Sequence, residues 1–137
     1  MKKKSFTLIE ILVVTTIIGL LATTASTIYS QLGKQSRDAR RKTDLEQIRS
    51  ALELYRSNNN VYQASVSTNC SNYTALTGSP TYIQSMPSDP KTGYNYYCNI
   101  TSSDYTLGAY LETGSGTCGG SCGTSSCNYC IGPYGQR

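Results

Sequence analysis

Hydrophobic positions divide the chain into three stretches of different period. From Phe6 to Ile28 apolar residues are nearly continuous, with Leu8, Ile9, Ile11, Leu12, Val13, Val14, Ile17, Ile18, Leu20, Leu21 and Ala22 interrupted mainly by threonine. A helix needs about 20 apolar residues to cross a bilayer, and this run is long enough. Its threonine hydroxyls can bond back to the helix backbone. From Tyr29 to about Asn58 the pattern turns amphipathic: Leu45, Ile48, Leu52 and Tyr55 recur at helical spacing, with Ala51 beside them. Only Gly33 separates the two stretches, so one continuous helix from Phe6 to about Asn58 is expected, about 80 Å long. The run Ser57-Asn58-Asn59-Asn60 ends it.

The remainder alternates between turns and short β-prone segments. Residues 61–90 read as an irregular connection rich in Ser, Thr and Asn, with short helical turns expected near 73–76 and 82–85. Met86-Pro87-Ser88-Asp89-Pro90-Lys91-Thr92-Gly93 is a turn cluster. Residues 94–99 and 105–111 flank a Thr-Ser-Ser-Asp turn and predict a β-hairpin. The expected class is α+β: a long N-terminal helix on a small antiparallel sheet of two or three strands. A head that small buries little core, so it needs the helix as backing and covalent staples.

One residue breaks the apolar run. Glu10 is ionisable, and a carboxylate in hydrocarbon is a functional-site candidate by default. It also argues against two plainer readings, a secretory signal peptide cut near Ala22-Thr23-Thr24-Ala25 and a simple membrane anchor. A third, the buried helix of a soluble protein, would be unusually long and apolar.

The start Met1-Lys2-Lys3-Lys4-Ser5, followed by Phe6-Thr7-Leu8-Ile9-Glu10 and the apolar helix, closely resembles the N-terminal signature of type IV pilins and of the major pseudopilins of type II secretion. The resemblance implies cleavage between Ser5 and Phe6 by a membrane prepilin peptidase and methylation of the new Phe6 amine. It implies that Glu10 faces the Phe6 amine of a neighbouring subunit in a filament. It makes residues 1–5 a cleaved leader, 6–28 a transmembrane or filament-core helix, 29–58 an amphipathic helix and 59–137 a globular head. The implied partners are other copies of the chain, minor pilins or pseudopilins, the peptidase, an inner-membrane assembly platform, and the membrane before assembly.

The second half of the helix resembles the same family through Arg37-Asp38-Ala39-Arg40, Asp44-Leu45, Ile48, Ala51-Leu52, Leu54-Tyr55, Asn59 and Tyr62. So does the sheet, through Pro87-x-Asp89-Pro90, Gly93-Tyr94 and Tyr105-x-Leu107-x-Ala109-x-Leu111-Glu112. Four positions bear on the comparison. Ser5 stands where most members carry Gly, Thr27 where many carry a kinking Pro, and Gln63 where Pro is usual. Gly19, often shared, is the natural weak point for unwinding.

Charge refines the topology. Lys2, Lys3 and Lys4 favour a cytoplasmic amino end, whereas Lys34, Arg37, Arg40, Arg41 and Lys42 follow the apolar run and argue the opposite way. Six cysteines, all from Cys70 onward, place the body in an oxidising compartment and decide for amino end in, body out. The expected location is a single-pass inner-membrane protein, then a pilus or pseudopilus at the envelope or cell surface. Without the leader lysines, nine basic residues face eight acidic ones. The basic excess sits in residues 34–56, as a patch for nucleic acid or anionic lipid or as a solvated face of ion pairs Asp38/Lys42, Arg40/Asp44 and Arg49/Glu53.

Cys118, Cys122, Cys127 and Cys130 crowd a Gly/Ser-rich tail, apart from Cys70 and Cys98. Four clustered cysteines can bind zinc, and Cys127-x-x-Cys130 can exchange disulfides. Export favours disulfides, with Cys70 to Cys98 and the other four among themselves; spacing leaves the connectivity open. Many pilins close a carboxyl-terminal loop by a disulfide. The Asp-rich calcium loop of major pseudopilins is not carried over, because no acid follows Glu112. No cofactor or metal is expected. The chain has no His, and no nucleophile–base pair or phosphate-cradling motif is visible, so no enzyme activity is expected. Twelve tyrosines read as half-exposed packing residues on the sheet. The leading expectation is a filament subunit serving motility, adhesion, DNA uptake or secretion. The alternative is a membrane-anchored extracytoplasmic binding module that does not polymerise.

Overall fold

A residue that caps its own helix fixes where the first element begins. In the computed structural model, which describes residues 6–67 and 69–137, Thr7 stands immediately before helix α1, Leu8–Asn59. The helix ends where Asn60 turns into the left-handed region at φ 64° and its N–H donates to the Arg56 carbonyl at 2.7 Å. Asn tolerates that conformation better than most residues, so the asparagine run stops the helix as expected.

The chain forms two compact units, residues 1–34 and 35–137. In the first, the described apolar side chains are exposed along the helix. Thr15, Thr16, Thr23 and Thr24 donate their hydroxyls to the carbonyls of Leu12, Val13, Leu20 and Leu21 at 2.8–3.0 Å. Each threonine therefore satisfies itself within the helix, and the surface left outward is apolar.

The second unit is built on a five-stranded antiparallel sheet in chain order: β1 Ser65–Ser67, β2 Tyr97–Ile100, β3 Tyr105–Ala109, β4 Tyr129–Gly132 and β5 Gly135–Gln136. Tyr97 pairs with Gly108 across β2 and β3, and Leu107 with Ile131 across β3 and β4. Leu45, Ile48 and Leu52 of α1 are fully buried in one cluster with Cys98, Ile100, Tyr105, Leu107 and Ile131. Burying each such aliphatic side chain stabilises by about 1.5–3 kcal/mol.

Two expectations change. The sheet has five strands rather than two or three, because the Cys-rich tail returns as β4 and β5 around the Gly132-Pro133-Tyr134-Gly135 turn. The helical turn of the connection lies at Cys70–Asn72 rather than at 82–85, while near the expected 73–76 the Thr77 N–H donates to the Thr74 carbonyl at 3.2 Å and closes a single turn. Asn69 caps the Cys70–Asn72 turn, its side chain accepting from Ser71 N at 2.9 Å. Beyond it the Tyr82 and Ile83 N–H groups both converge on the Leu76 carbonyl, which draws residues 76–83 into a closed loop.

Disulfides join Cys70 to Cys98, Cys118 to Cys130 and Cys122 to Cys127. The first ties the helical turn to β2, and the second ties the tail to β4. Gly108 is needed beneath them: a Cβ there would stand 3.1 Å from the sulfurs of both Cys127 and Cys130. Cys127 and Cys130 thus belong to two different disulfides, and among the described residues no cysteine is free.

Candidate assembly and anchoring site

Thr7 and Glu10 form a reciprocal cap at the start of α1. The carboxylate Oε2 of Glu10 accepts from the Thr7 backbone N–H at 2.8 Å and from the Thr7 hydroxyl at 2.7 Å, and Glu10 N–H donates back to Thr7 Oγ1 at 3.4 Å. This is a capping box: the carboxylate satisfies the Thr7 N–H, while the Glu10 N–H is shared between Thr7 Oγ1 and the Thr7 carbonyl at 3.1 Å. The negative charge also sits at the positive end of the helix dipole, which favours it. Hydrogen bonds and a dipole do not neutralise a full charge in hydrocarbon, so a cationic partner remains favourable.

Around this cap the surface is apolar. Phe6 is 79% exposed and Leu8 83%, and Ile9, Val13 and Val14 line a shallow depression beside Glu10. The segment is long and apolar enough to cross a membrane. Ser5 and the leader lysines lie outside the described residues.

A family model, the prokaryotic N-terminal methylation motif, matches residues 1–26. The chain carries the type IV pilin and pseudopilin signal. The signal marks a pilin-like subunit in general and points to a structural role rather than an enzyme. It implies processing by a prepilin peptidase and assembly into pili, and with the apolar helix it fits a membrane-anchored pilin. No curated protein and no solved structure matches the chain.

The second half of α1 carries a different kind of site, which anchors the helix to the head. Arg41 has no exposed surface. Its guanidinium donates to both oxygens of Asp89 at 2.7 and 2.8 Å, to Asp38 at 2.9 Å and to Glu112 at 3.3 Å. Arg37 grips Glu112 with two bonds at 2.6 and 2.9 Å, and Lys91 approaches the same carboxylate at 3.6 Å. Asp38 accepts from the Glu112 and Thr113 backbone N–H groups and the Thr113 hydroxyl at 2.7–2.9 Å. Three cations and three carboxylates thus neutralise one another, as buried charge requires. The Arg37 guanidinium leads in holding Glu112 well below its ordinary value, at about 2, against the upward pull of burial. Burial is the largest influence on Asp38 and pushes it up, but the Thr113 and Glu112 donors together outweigh it and its value falls.

Buried tyrosines supply a second set of anchors. Tyr96 donates to Asp44 at 2.6 Å, and Tyr105 and Tyr62 donate to Glu53 at 2.7 and 3.0 Å. Burial, then the neighbouring carboxylate, raises the Tyr96 and Tyr105 hydroxyls above the ordinary tyrosine value. The half-exposed reading is therefore corrected for Tyr62, Tyr73, Tyr96 and Tyr105, which lie in the core. Their rings fill it while their hydroxyls reach polar partners.

These partners redistribute the basic stretch. Asp38 pairs with Arg41, not Lys42, and Arg49 pairs with Glu46 at 3.2 Å while Glu53 serves the tyrosines. Arg40/Asp44 survives only at 3.9 Å. Lys42 lies over the Tyr129 ring at 5.3 Å and Arg56 over Tyr62 at 5.1 Å. Most of the positive charge is thereby engaged within the head rather than presented as a continuous anion-binding surface.

Proposed function

We propose that the chain is a structural subunit of a type IV pilus or pseudopilus filament. In this reading a prepilin peptidase cuts between Ser5 and Phe6, Phe6 is N-methylated, and the subunit waits in the inner membrane with its amino end inside and its head outside. An assembly platform then extracts it and stacks its N-terminal helix among those of other copies, joined by minor pilins or pseudopilins. Glu10 pairs with the Phe6 amine of a neighbour. Residues 6–28 serve as the span and filament core, residues 29–58 back the head, and residues 59–137 face outward.

The observation that carries this reading is the carboxylate of Glu10, set in a capping box within an exposed apolar helix start that matches the methylation motif. A charge in that setting is stable when a cation meets it, and a neighbouring amino terminus supplies one.

The test is amino-terminal peptide mass spectrometry on sheared surface material and on membranes of the native host. An N-methylated Phe6 terminus in sheared fibres supports an exposed pilus, and the same terminus confined to the envelope supports a short pseudopilus. An intact Met1, or a cut near Ala25, would overturn the proposal.

A further inference from the structure

At the C-terminal end of α1, within the unit of residues 35–137, Tyr55 and Asn59 line a cleft of about 310 Å³ together with Gln63 and residues of the segment 74–82. Two of its lining side chains pack on each other: the Tyr55 and Tyr82 rings meet edge to face, centroids 5.3 Å apart at 60°. Tyr82 is fixed from behind, because the Asn58 and Asn59 amides both donate to its hydroxyl, at 3.2 and 3.3 Å. Asn59 is itself held by the Tyr55 carbonyl at 2.9 Å. The Tyr55 hydroxyl donates to Gln63 Oε1 at 3.4 Å, and Gln63 and the exposed Thr74 are among the lining residues.

No charged side chain lines this cleft. Amides and hydroxyls both donate and accept, so the lining suits a ligand dense in neutral hydroxyls. A phosphate, sulfate or carboxylate would instead need a cation or a cluster of N–H donors to offset its desolvation. An apolar ligand would strand the polar atoms of the wall. The volume is at the low end for small-molecule sites and fits one or two sugar rings.

We propose that the cleft lined by Tyr55, Asn59, Gln63, Thr74 and Tyr82 is a binding site for a neutral saccharide. The proposal concerns the head alone and does not rest on filament assembly. A single shallow site of this kind binds weakly; copies repeated along a fibre would raise the effective affinity by avidity.

The experiment uses the full chain in a zwitterionic detergent, since glycoside detergents would occupy the site. Saturation-transfer difference NMR is recorded with the methyl glycosides of glucose, galactose, mannose, N-acetylglucosamine and N-acetylgalactosamine, and with their sulfated forms. The expected result is transfer to ring protons of at least one neutral glycoside, reduced about tenfold in its sulfated form. Tyr82→Ala should weaken binding by about tenfold. Because that change also removes packing, Thr74→Lys, at an exposed position, should weaken it equally while circular dichroism stays that of the parent. Tyr134→Ala, at a 97% exposed tyrosine outside the cleft, should leave binding unchanged. Absence of transfer with every neutral glycoside, equal transfer to sulfated forms, or binding that survives both cleft variants would overturn the proposal.

Discussion

Arg41 and Asp89 lie 48 residues apart in sequence and form a two-bond ion pair, Nε to Oδ2 at 2.7 Å and Nη2 to Oδ1 at 2.8 Å, in which the arginine side chain has no exposure and the aspartate 1%. Asp89 is positioned by its own turn, where Oδ1 accepts the Lys91 N–H at 2.8 Å. The pair fastens the middle of α1 to the proline-rich connection. Removing one partner leaves an uncompensated buried charge, which typically costs about 3–5 kcal/mol. Arg41→Ala is therefore expected to lower head stability by about that much, read as a fall in the urea midpoint of the detergent-solubilised chain. The exposed Arg40→Ala should cost under about 1 kcal/mol. Equal effects of the two changes would refute a special role for Arg41.

Acid should loosen the same region. A glutamate carboxyl ordinarily titrates at 4.5, but Glu112 is held down at about 2 in the folded head, first by Arg37. A folded value below the unfolded one means that the unfolded chain binds the proton more tightly, so stability falls as the solution acidifies. The contribution of Glu112 should be complete above about pH 4.5 and disappear as pH drops through about 2. Thermal melts across this window should show the decline in the parent. Glu112→Gln should be less stable at neutral pH and less sensitive to acid; an unchanged acid limb would rule Glu112 out as its source.

Much of this was readable in the chain, and the parts that were not share a cause. Leu45, Ile48 and Leu52 announced the buried face because their period is that of a helix and their chemistry allows one interpretation. Arg41 lies four residues before Leu45 on the same line, so the periodicity itself placed it in the core, but its charge suggested solvent. Its partners Asp89 and Glu112 come from distant turns, and neighbour rules along a helix favour Asp38 with Lys42 instead. Long-range bidentate geometry prevailed over a local pair worth a few tenths of a kcal/mol. Strands β4 and β5 were hidden because they span only four and two residues and carry cysteine and glycine rather than a β-prone run. In the assembly site, Glu10 was evident as a charge in an apolar run, whereas its bond to Thr7 required the structure.

The disulfides should differ in worth according to the loop each closes. Cys70 and Cys98 are 28 residues apart, Cys122 and Cys127 only 5. In the chain-entropy account the longer loop restricts the unfolded state more, giving about 3.5 kcal/mol against about 2 kcal/mol. Paired Cys→Ser replacement at 70 and 98 should therefore lower the urea midpoint more than replacement at 122 and 127. The reverse order would show that packing of the sulfurs beside Gly108 outweighs loop closure.

The Thr7–Glu10 cap allows charge and helix capping to be separated at the assembly site. Gln completes a capping box as Glu does, so Glu10→Gln keeps the helix start while removing the charge. Thr7→Ala does the converse: it removes the hydroxyl that donates to Glu10 at 2.7 Å and accepts from its N–H, and leaves the carboxylate in place. Loss of such a cap costs about 1 kcal/mol of helix stability. If Glu10 acts by meeting the Phe6 amine of a neighbour, Glu10→Gln should be processed to the N-methylated Phe6 terminus in normal amount and accumulate in the membrane without fibres. Thr7→Ala should retain fibres at reduced yield. Fibre yield is measured in sheared fractions by immunoblot, and processing by mass spectrometry of the amino terminus. Fibres at parental yield from Glu10→Gln would mean that the charge is not what joins one subunit to the next. The anchored, non-polymerising module would then be the better account of a chain that keeps its span and its head.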